Sequence, residues 1–480
     1  MPIEDIQEFI TELEKNGELK RVTTEVDADL EIAEIMRREM YSNGPAILFE
    51  NVKGFDMPVL GNAFGSMKRL EIGLEMKDFT EIGKRITDMT KMNVPTGLLN
   101  KIKKLPELSK MTASFPKSED KGPVTEITSN DASFDDLPIL KSWPDDAGRF
   151  ITLGLVATKH PETEVRNLGV YRIQIIDKTH ALMHWQKHKR GAHHGEISKD
   201  KGEKIPTAII IGGEPSTVFS SIAPVPEGLD KYLFSGITRK EGIKMVKCKT
   251  IDLEVPANAE IVLEGYVDPE DIRDEGPFGD HTGYYTPVEP YPTFTLTGIM
   301  RRKNPIYVTT VVGKPILEDA YIGKVIERSF LPLIQMFHPE VVDFSMPAAG
   351  WFQGFAIISI KKRYPGQAKK VMMGLWGMGQ LSLTKMFVVV DEDINVHDIN
   401  DVIWAITTRA DAARDTTIIN NTPTDTLDPA SPLVNLGSKM GIDATQKTKE
   451  EGYEREIQQQ VKVDEKTKDL VDSKWSQYGL

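Results

Sequence analysis

The stretch NLGVYRIQIIDKTHALMHWQ, residues 167–186, contains two β-rich runs joined by a turn. Five further runs of this kind begin between residues 137 and 310: ITLGLVATKH, PTAIIIGG, EIVLEGYV, TFTLTGIM and IYVTTVVG. Strands that follow one another through regular turns pair in an antiparallel sheet, whereas βαβ units need crossover helices. The pattern therefore predicts an antiparallel barrel or sandwich in the middle of the chain.

The flanking segments mix helical and strand patterns. Near the N-terminus apolar residues recur at helical spacing at Ile6, Phe9, Ile10 and Leu13. Towards the C-terminus FAIISIKK and MFVVVDED are typical of strands, and GQAKKVMMGLW is typical of a helix between them. The chain becomes highly charged after Lys447. We therefore predict an α+β, multidomain chain with an α/β region on each side of the central β domain.

The domain boundaries follow from these changes of pattern. We expect an N-terminal α/β domain at 1–115, a β domain at 116–315 and a C-terminal α/β domain at 316–447. Residues 448–480 form a charged tail in which Leu470, Val471, Trp475 and Tyr478 fall on one side of a terminal helix. Such a tail packs on a neighbour or frays more often than it takes part in chemistry.

Composition and charge exclude several classes of protein. The 480 residues carry a net charge of −13, which disfavours nonspecific nucleic-acid binding as the main activity. No apolar run approaches the roughly 20 residues of a membrane span, and the N-terminal segment lacks the apolar core of a signal peptide. We expect a cytoplasmic protein, peripheral to a membrane if its substrate is dissolved there.

The single cysteine, Cys248, rules out a framework of intrachain disulfides and fits a reducing compartment. It lies in the strand-like run IKMVKCKTIDLEV. A packed thiol is therefore favoured over a nucleophile.

The segment DEGPFGDHTGYY, residues 274–285, is the first candidate for chemistry. Its glycines and proline restrict the backbone, so the side chains of Glu275 and Asp280 have defined directions. Two carboxyls that face one cavity can differ in pKa, with one ionised and the other protonated. The alternative is a hairpin turn whose acids are solvated. His281 adds a third titratable group but is weak evidence by itself.

A basic, histidine-rich segment begins at the end of the opening stretch. It contains His184, Lys187, His188, Lys189, Arg190, His193 and His194. Such a cluster can bind an anion, above all a phosphate, or it can be a solvated basic loop. Because neither CxxC nor HExxH spacing occurs, a standard zinc site is not expected. Arg172 lies in a strand pattern, where an inward-pointing guanidinium needs an anionic partner.

Taken together, the motifs resemble those of the UbiD family of decarboxylases. The similarity covers all but about the last 30 residues, and its motifs are NLGVYR, VKCKTIDLEVPANAEIVLEGYV, EGPFGDHTGYY, RYPGQAKKVMMGLW, DVIWAITTRADAARDT and LGSKMGIDAT. The resemblance implies an N-terminal α/β region, a central flavin-reductase-like split β-barrel and a C-terminal α/β domain for oligomer contacts. The chain looks most like the branch that acts on 4-hydroxy-3-polyprenylbenzoate-type acids in quinone biosynthesis.

The resemblance also implies a cofactor, prenylated FMN, and a set of residues. Arg172, Glu275 and Asp280 match the family's catalytic network, with Asp280 as the proton donor, so a raised pKa is expected at Asp280. The residues implied to contact the cofactor are Asn167, Val170, Tyr171, Arg172, His184, Trp185, Gln186, Lys189 and Arg190.

The implied metal site departs from the family pattern. Asn167 matches a ligand of a divalent ion, typically Mn²⁺, and K⁺ often bridges to the cofactor phosphate. Where the family usually has a ligating glutamate this chain has Lys231, and an ammonium group cannot ligate a cation. Asp230 or Glu227 replaces that ligand, or the site is weakened, or Lys231 neutralises the phosphate directly.

The implied partners are a small carboxylic acid, a flavin prenyltransferase that supplies the cofactor, and further copies of the chain in a homodimer or homohexamer. The alternative substrate is a phosphorylated anhydromevalonate of isoprenoid synthesis, which the basic segment and Lys231 would suit. Less favoured alternatives are a flavin-binding oxidoreductase and a non-catalytic subunit. The first lacks a nicotinamide site in the sequence, and the second would not retain all three network residues.

Overall fold

The computed structural model describes residues 2–91, 112–186, 190–225, 229–456 and 458–479. The N-terminal part is a small sheet with helices around it. Its first strands are β1 (Leu19–Val22), β2 (Ala46–Phe49) and β3 (Val59–Gly61), with β1 parallel to β2 and β2 antiparallel to β3. Its helices are α1 (Ile6–Lys15), α2 (Glu31–Tyr41), α3 (Met67–Leu74) and α4 (Thr80–Lys91). The apolar face predicted for α1 is confirmed, since all four of its apolar residues are buried.

The central part contributes most of the strands. They are β4 (Lys117–Ser118), β5 (Ile127–Ser129), β6 (Phe150–Ile151), β7 (Leu155–Lys159), β8 (Arg166–Val170), β9 (Ile173–Ile175), β10 (His180–Met183), β11 (Ile205–Ile211), β12 (Lys244–Lys247), β13 (Glu254–Pro256), β14 (Ile261–Glu275) and β15 (Glu289–Arg301). The helices among them are α5 (Arg190–Lys201), α6 (Pro215–Ile222) and α7 (Lys231–Arg239).

Nine of these strands form one antiparallel sheet. Its order is β6-β9-β10-β15-β14-β11-β7-β8, and β5 also pairs with β15. Strand β8 lies at one end of this order and β9 lies near the other, yet only two residues, Tyr171 and Arg172, connect them. So short a connection requires the two ends of the sheet to approach each other. The sheet therefore curls into a half-barrel, which confirms the predicted antiparallel barrel, and Arg172 lies at its seam.

After the barrel the chain returns to the N-terminal sheet. Strand β16 (Tyr307–Val308) pairs in parallel with β3, although residues 307–308 fall within the segment that the sequence assigns to the barrel. The N-terminal and central parts share one continuous hydrophobic core. The helix α8 (Glu318–Phe337) then leads into the C-terminal part.

The C-terminal part is a five-stranded sheet of order β17-β18-β19-β21-β20. Its strands are β17 (Val341–Ser345), β18 (Phe355–Ile360), β19 (Met386–Asp391), β20 (Thr416–Pro423) and β21 (Leu436–Ala444), and its helices are α9 (Gln367–Trp376) and α10 (Ile399–Arg409). Separate hydrophobic clusters lie against this sheet. In the tail, α11 (Glu465–Lys474) is exposed along its length except at Val471, which is half-buried. Among the described residues, every helix is too short or too polar to cross a bilayer.

The structure supports the prediction of a packed thiol at Cys248. This residue directly follows β12 and is partly buried. Burial, together with the charge of Glu264, raises the pKa of the thiol well above its usual range. A thiol that stays protonated is a poor nucleophile.

Candidate active site

The seam of the barrel brings Arg172 against the two acids of the segment 274–285. Its Nε and Nη2 atoms donate to the two carboxylate oxygens of Glu275, each at 2.7 Å, and Nη1 donates to Oδ2 of Asp280 at 2.6 Å. All three side chains are at least 93% buried. Phe278 lies against the guanidinium, 4.9 Å from its ring centroid to Cζ. The alternative of solvated acids is therefore wrong, and the anionic partner expected for Arg172 is present.

Glycine and backbone anchors give the turn its shape. The turn joins β14 to β15, and Glu275 is the last residue of β14. Gly276 has φ +96°, in the left-handed region that glycine tolerates, and its N–H donates to Gln174 at 2.8 Å. At Gly279 a Cβ would lie 2.3 Å from the Trp143 indole, so only glycine fits there. The Gly279 N–H donates to Asp146, which fixes the backbone next to Asp280.

The charges in this cluster determine its protonation. Burial alone would raise the pKa of Glu275, but hydrogen bonds from His184 and Arg172 outweigh burial and lower it to about 2. Burial likewise opposes the charge on Arg172, yet the bonds to Glu275 raise the pKa of the guanidinium above its usual value. Glu275 and Arg172 therefore form an ion pair over the whole physiological range.

The expectation of a raised pKa at Asp280 is wrong. Burial does act to raise it, but the positive charges of His281 and Arg172 outweigh burial and lower the pKa of this carboxyl. Two hydrogen bonds to its charged form act in the same direction, one from Arg172 and one from the His281 backbone N–H at 2.7 Å. Asp280 is therefore ionised in this state and must gain a proton before it can donate one.

His184 completes the buried cluster. Its Nδ1 lies 3.4 Å from Oε2 of Glu275, and its ring lies against Tyr291. Burial and the neighbouring Arg172 charge lower the pKa of this histidine, so the ring is neutral. Because Glu275 is ionised, Nδ1 is the donor. Nε2 is therefore an acceptor, and it is buried with no hydrogen-bond partner among the described residues.

Two more of the residues predicted to contact a cofactor have a buried polar atom without a hydrogen-bond partner in the described chain. Within the described chain, Nδ2 of Asn167 and Nε1 of Trp185 are also buried without a partner. Unpaired buried polar atoms are rare in folded proteins, and three of them on residues 167, 184 and 185 suit a polar ligand that lies against β8 and β10. The residues present therefore fit a flavin-type cofactor.

The other residues predicted to contact the cofactor are described less completely by the structure. Val170 ends β8 and is half-buried, Tyr171 is buried at the seam, and Gln186 is half-buried after β10. Lys189 lies outside the described residues, as do Lys187 and His188, and Arg190 is described only as the first residue of α5.

The histidine-rich segment divides between two places. His184 joins the Glu275 cluster, whereas His193 and His194 lie on α5, where their rings are 6.0 and 5.2 Å from that of His160. Nδ1 of His194 lies 3.1 Å from Oγ1 of Thr158, which is the residue opposite Asn167 on the neighbouring strand. Directly opposed residues project to one face of a sheet, so α5 covers the face that carries Asn167.

The structure does not favour Asp230 as a metal ligand. Its carboxylate is bound by Arg166, with Nη2 at 2.6 Å, and it caps the N-terminus of α7 through the Tyr232 N–H. Arg166 and Asn167 are consecutive in β8, so their side chains project to opposite faces of the strand. Lys231 donates to the Ser221 carbonyl at 2.7 Å. Glu227 lies outside the described residues, which contain no group of three histidine, cysteine, aspartate or glutamate side chains able to hold a metal ion. The described residues therefore do not fit a divalent metal at Asp230.

In the sequence His281 is weak evidence for a functional role, and Asp319 shows no signal at all. The two side chains are in contact through Nδ1 of the histidine and Oδ2 of the aspartate, and Nε2 lies 3.6 Å from Oδ1 of Asp280. Asp319 lies in the first turn of α8, 38 residues beyond His281 in sequence. Asp146, whose carboxylate accepts a hydrogen bond from the Gly279 N–H, is a third residue near the site that the sequence did not single out. Only the tertiary structure brings these acids to the turn.

Three family models match successive parts of the chain. They describe the N-terminal, Rift-related and C-terminal domains of 3-octaprenyl-4-hydroxybenzoate carboxy-lyase, and they match residues 10–86, 116–315 and 320–444. A protein of Archaeoglobus fulgidus to which no function is assigned is 50% identical over 478 residues, which cover 99% of each chain.

Solved structures agree with this assignment. The closed form of Sedimentibacter hydroxybenzoicus vanillic acid decarboxylase is 28% identical, with a TM-score of 0.88 and coverage of 98% of this chain and 99% of that one. An evolved dimeric form of HmfF from Pelotomaculum thermopropionicum, described as a UbiD-class enzyme in complex with prFMN, is 28% identical, with a TM-score of 0.78 and coverage of 95% and 97%.

Proposed function

This chain belongs to the UbiD family of carboxy-lyases, and we propose that it uses prenylated FMN to decarboxylate an unsaturated or aromatic carboxylic acid. The observation that carries the proposal is the buried Arg172 bound to both Glu275 and Asp280. Bound prenylated FMN would supply a sink for the electrons that remain when carbon dioxide departs. Asn167, His184 and Trp185 would hold it through the buried nitrogens that lack partners among the described residues.

Arg172 orients the network. Its bidentate bond to Glu275 fixes the plane of the guanidinium, and Nη1 then directs the carboxylate of Asp280. Phe278 covers one face of the guanidinium and excludes water from that side. Because Glu275 remains ionised, Arg172 stays charged and in place throughout a reaction cycle.

Asp280 supplies the proton that replaces carbon dioxide. Its carboxyl is ionised before substrate binds, because Arg172 and His281 both lower its pKa. A substrate carboxylate beside Arg172 adds negative charge and raises the pKa of Asp280. Asp280 then takes up a proton and donates it to the carbon that has lost carbon dioxide.

Apolar residues near the turn support a hydrophobic substrate. Tyr284, Val288 and Ile316 are large, are at least 44% exposed, and lie within the turn or in the segment that follows β16. These two segments meet where Gly283 approaches Lys314. An exposed apolar rim suits an aliphatic chain. We therefore propose a 4-hydroxy-3-polyprenylbenzoate-type acid of quinone biosynthesis as the substrate.

One experiment tests cofactor and substrate together. The chain is co-expressed with a flavin prenyltransferase, and the bound cofactor is identified by its absorption spectrum and mass. Carbon dioxide release is then measured with a polyprenylated hydroxybenzoate, a hydroxybenzoate without the chain, and phosphorylated anhydromevalonate. We expect turnover to require the prenylated cofactor and to be fastest with the first acid. Equal activity with unmodified FMN would exclude the proposed mechanism, and preference for the phosphorylated acid would replace the proposed substrate.

A further inference from the structure

His281 lies between the proton donor and a second carboxylate on another element. Its Nδ1 contacts Oδ2 of Asp319 in the first turn of α8, and its Nε2 lies 3.6 Å from Oδ1 of Asp280. When Nδ1–H donates to a carboxylate, the ring orientation and the protonation pattern of the imidazole are fixed. Nε2 is then left to face Asp280.

The surroundings of His281 favour its charged form. Three carboxylates act on the ring: Asp280 of the turn, Asp319 of α8 and Asp425, which follows β20. The ring of Phe352 packs edge-on against it at 5.4 Å between centroids. Burial acts against the charge, but Asp280 and Asp319 outweigh burial and raise the pKa of His281 to about 9.

Exposure gives His281 the access to solvent that Asp280 lacks. The side chain of His281 is 26% exposed, whereas that of Asp280 is 7% exposed. The two oxygens of Asp280 also face different partners, because Oδ2 accepts from Arg172 and Oδ1 is on the side of His281. One oxygen can therefore receive a proton while the other remains directed towards Arg172.

We infer that His281 is the residue through which Asp280 is reprotonated, with Asp319 holding the imidazole in place. The inference rests on the proposed decarboxylation. The proton on Nε2 of the imidazolium passes to Oδ1 of Asp280, which leaves a neutral imidazole and a carboxylic acid. Asp280 gives that proton to the product carbon and becomes a carboxylate again, and His281 regains a proton from water. One proton is consumed for each carbon dioxide released. His281 acts through Asp280 and is therefore a positioning residue.

The first test needs neither cofactor nor substrate. The ring of His281 is titrated by NMR in histidine-labelled protein, and its signal is assigned from the spectrum of His281→Gln. In the wild type we expect a pKa well above the ordinary histidine value of about 6.5. Asp319→Asn and Asp280→Asn should each lower it by more than one unit. An ordinary value, or one that neither substitution changes, would overturn the inference even if the enzyme is active.

The second test uses the prenylated-FMN holoenzyme. His281→Gln should lower kcat about 10²- to 10⁴-fold with little change in KM, since general acid–base groups contribute on that order. Added imidazole should restore part of the rate, and the loss should vary with pH. The matched control is His180→Gln, because His180 also contacts an aspartate through Nδ1, at 3.0 Å from Asp177, but on the barrel surface. That variant should retain wild-type kcat.

The outcomes separate this inference from the proposed function. Wild-type kcat in His281→Gln would overturn the inference and leave the decarboxylase proposal intact. A loss of rate that is the same at every pH and is not rescued by imidazole would show a merely structural role. If the wild type releases no carbon dioxide from any acid, the proposed function fails, and the NMR titration still decides whether Asp280 and Asp319 hold His281 in its charged form.

Discussion

Arg172 binds both oxygens of Glu275, although 103 residues separate the two in sequence. The arginine is at the seam between β8, the last strand in the order of the curled sheet, and β9, the second, and the glutamate ends its longest strand. Their ion pair therefore joins the seam to the turn that carries Asp280. The pair both stabilises the barrel and organises the site.

Asp280→Asn should abolish decarboxylation and leave cofactor binding unchanged. An amide keeps the size of the side chain but cannot deliver a proton at neutral pH, and the loss of a general acid lowers rates about 10²- to 10⁴-fold. Carbon dioxide release and the absorption spectrum of the bound cofactor are measured on the same preparation. Asp274→Asn is the control, because Asp274 is exposed and lies in the same segment. Full turnover by Asp280→Asn would remove Asp280 from the mechanism.

Arg172→Ala should destabilise the protein as well as inactivate it. The substitution leaves Glu275 and Asp280 buried without their cation, and breaking a buried pair in this way costs about 3–5 kcal/mol. The free energy of unfolding is measured by urea denaturation. Arg273→Ala removes an exposed pair with Asp271 on the same hairpin and should leave the midpoint unchanged. Equal midpoints for the two variants would contradict the structural role of Arg172.

Glu275 should make stability depend on pH in a defined window. The pKa of this carboxyl falls from 4.5 to about 2 on folding, so its contribution is complete above pH 4.5 and is lost as the pH falls towards 2. Because other carboxyls titrate in the same range, wild type is compared with Glu275→Gln. The stability difference between them should shrink steadily from pH 5 to pH 2. A difference that stays constant over this range would mean that Glu275 is not ionised in the folded protein.

Lys231→Glu should increase the affinity of the protein for Mn²⁺. The wild-type lysine donates to the Ser221 carbonyl and cannot ligate a cation, whereas a glutamate supplies the carboxylate ligand that the resemblance implies at this position. Metal content is measured after dialysis against Mn²⁺, with and without K⁺. Lys247→Glu changes the net charge equally at an exposed position and is the control. Stoichiometric Mn²⁺ in the wild type would show that other residues, such as Glu227, complete the site.

The local sequence pattern was sufficient to predict the burial of a residue where that burial depends only on the helix or strand that contains it. The buried face of α1 follows from helical spacing, and the antiparallel sheet follows from β-rich runs separated by turns, a pattern that left barrel and sandwich both open. The need for an anion at Arg172 also followed from the sequence, because a strand residue that points inward cannot leave a guanidinium unpaired. Motifs similar to those of a known family then indicated Glu275 and Asp280 as candidate catalytic residues.

The sequence does not indicate features that depend on contacts between distant elements. The sign of the pKa shift at Asp280 depends on the charges of Arg172 and His281 together, and burial alone suggests the opposite sign. Asp319 reaches His281 only because α8 begins beside the turn. Strand β16 joins the N-terminal sheet through long-range pairing that no local pattern indicates. The contact of Asp230 with Arg166 is likewise not visible in the sequence.

The two-residue connection between β8 and β9 has a consequence for folding. Tyr171 and Arg172 keep β8 and β9 close in the chain although the two lie far apart in the pairing order, so the sheet that connects them is built from pairs between strands distant in sequence. Pairings between distant parts of a chain form late and slowly. The ion pair of Arg172 with Glu275 should therefore appear in one of the last steps of refolding. Enzyme activity would then return later than secondary structure, and a chain that stops short of barrel closure would be well folded locally and wholly inactive.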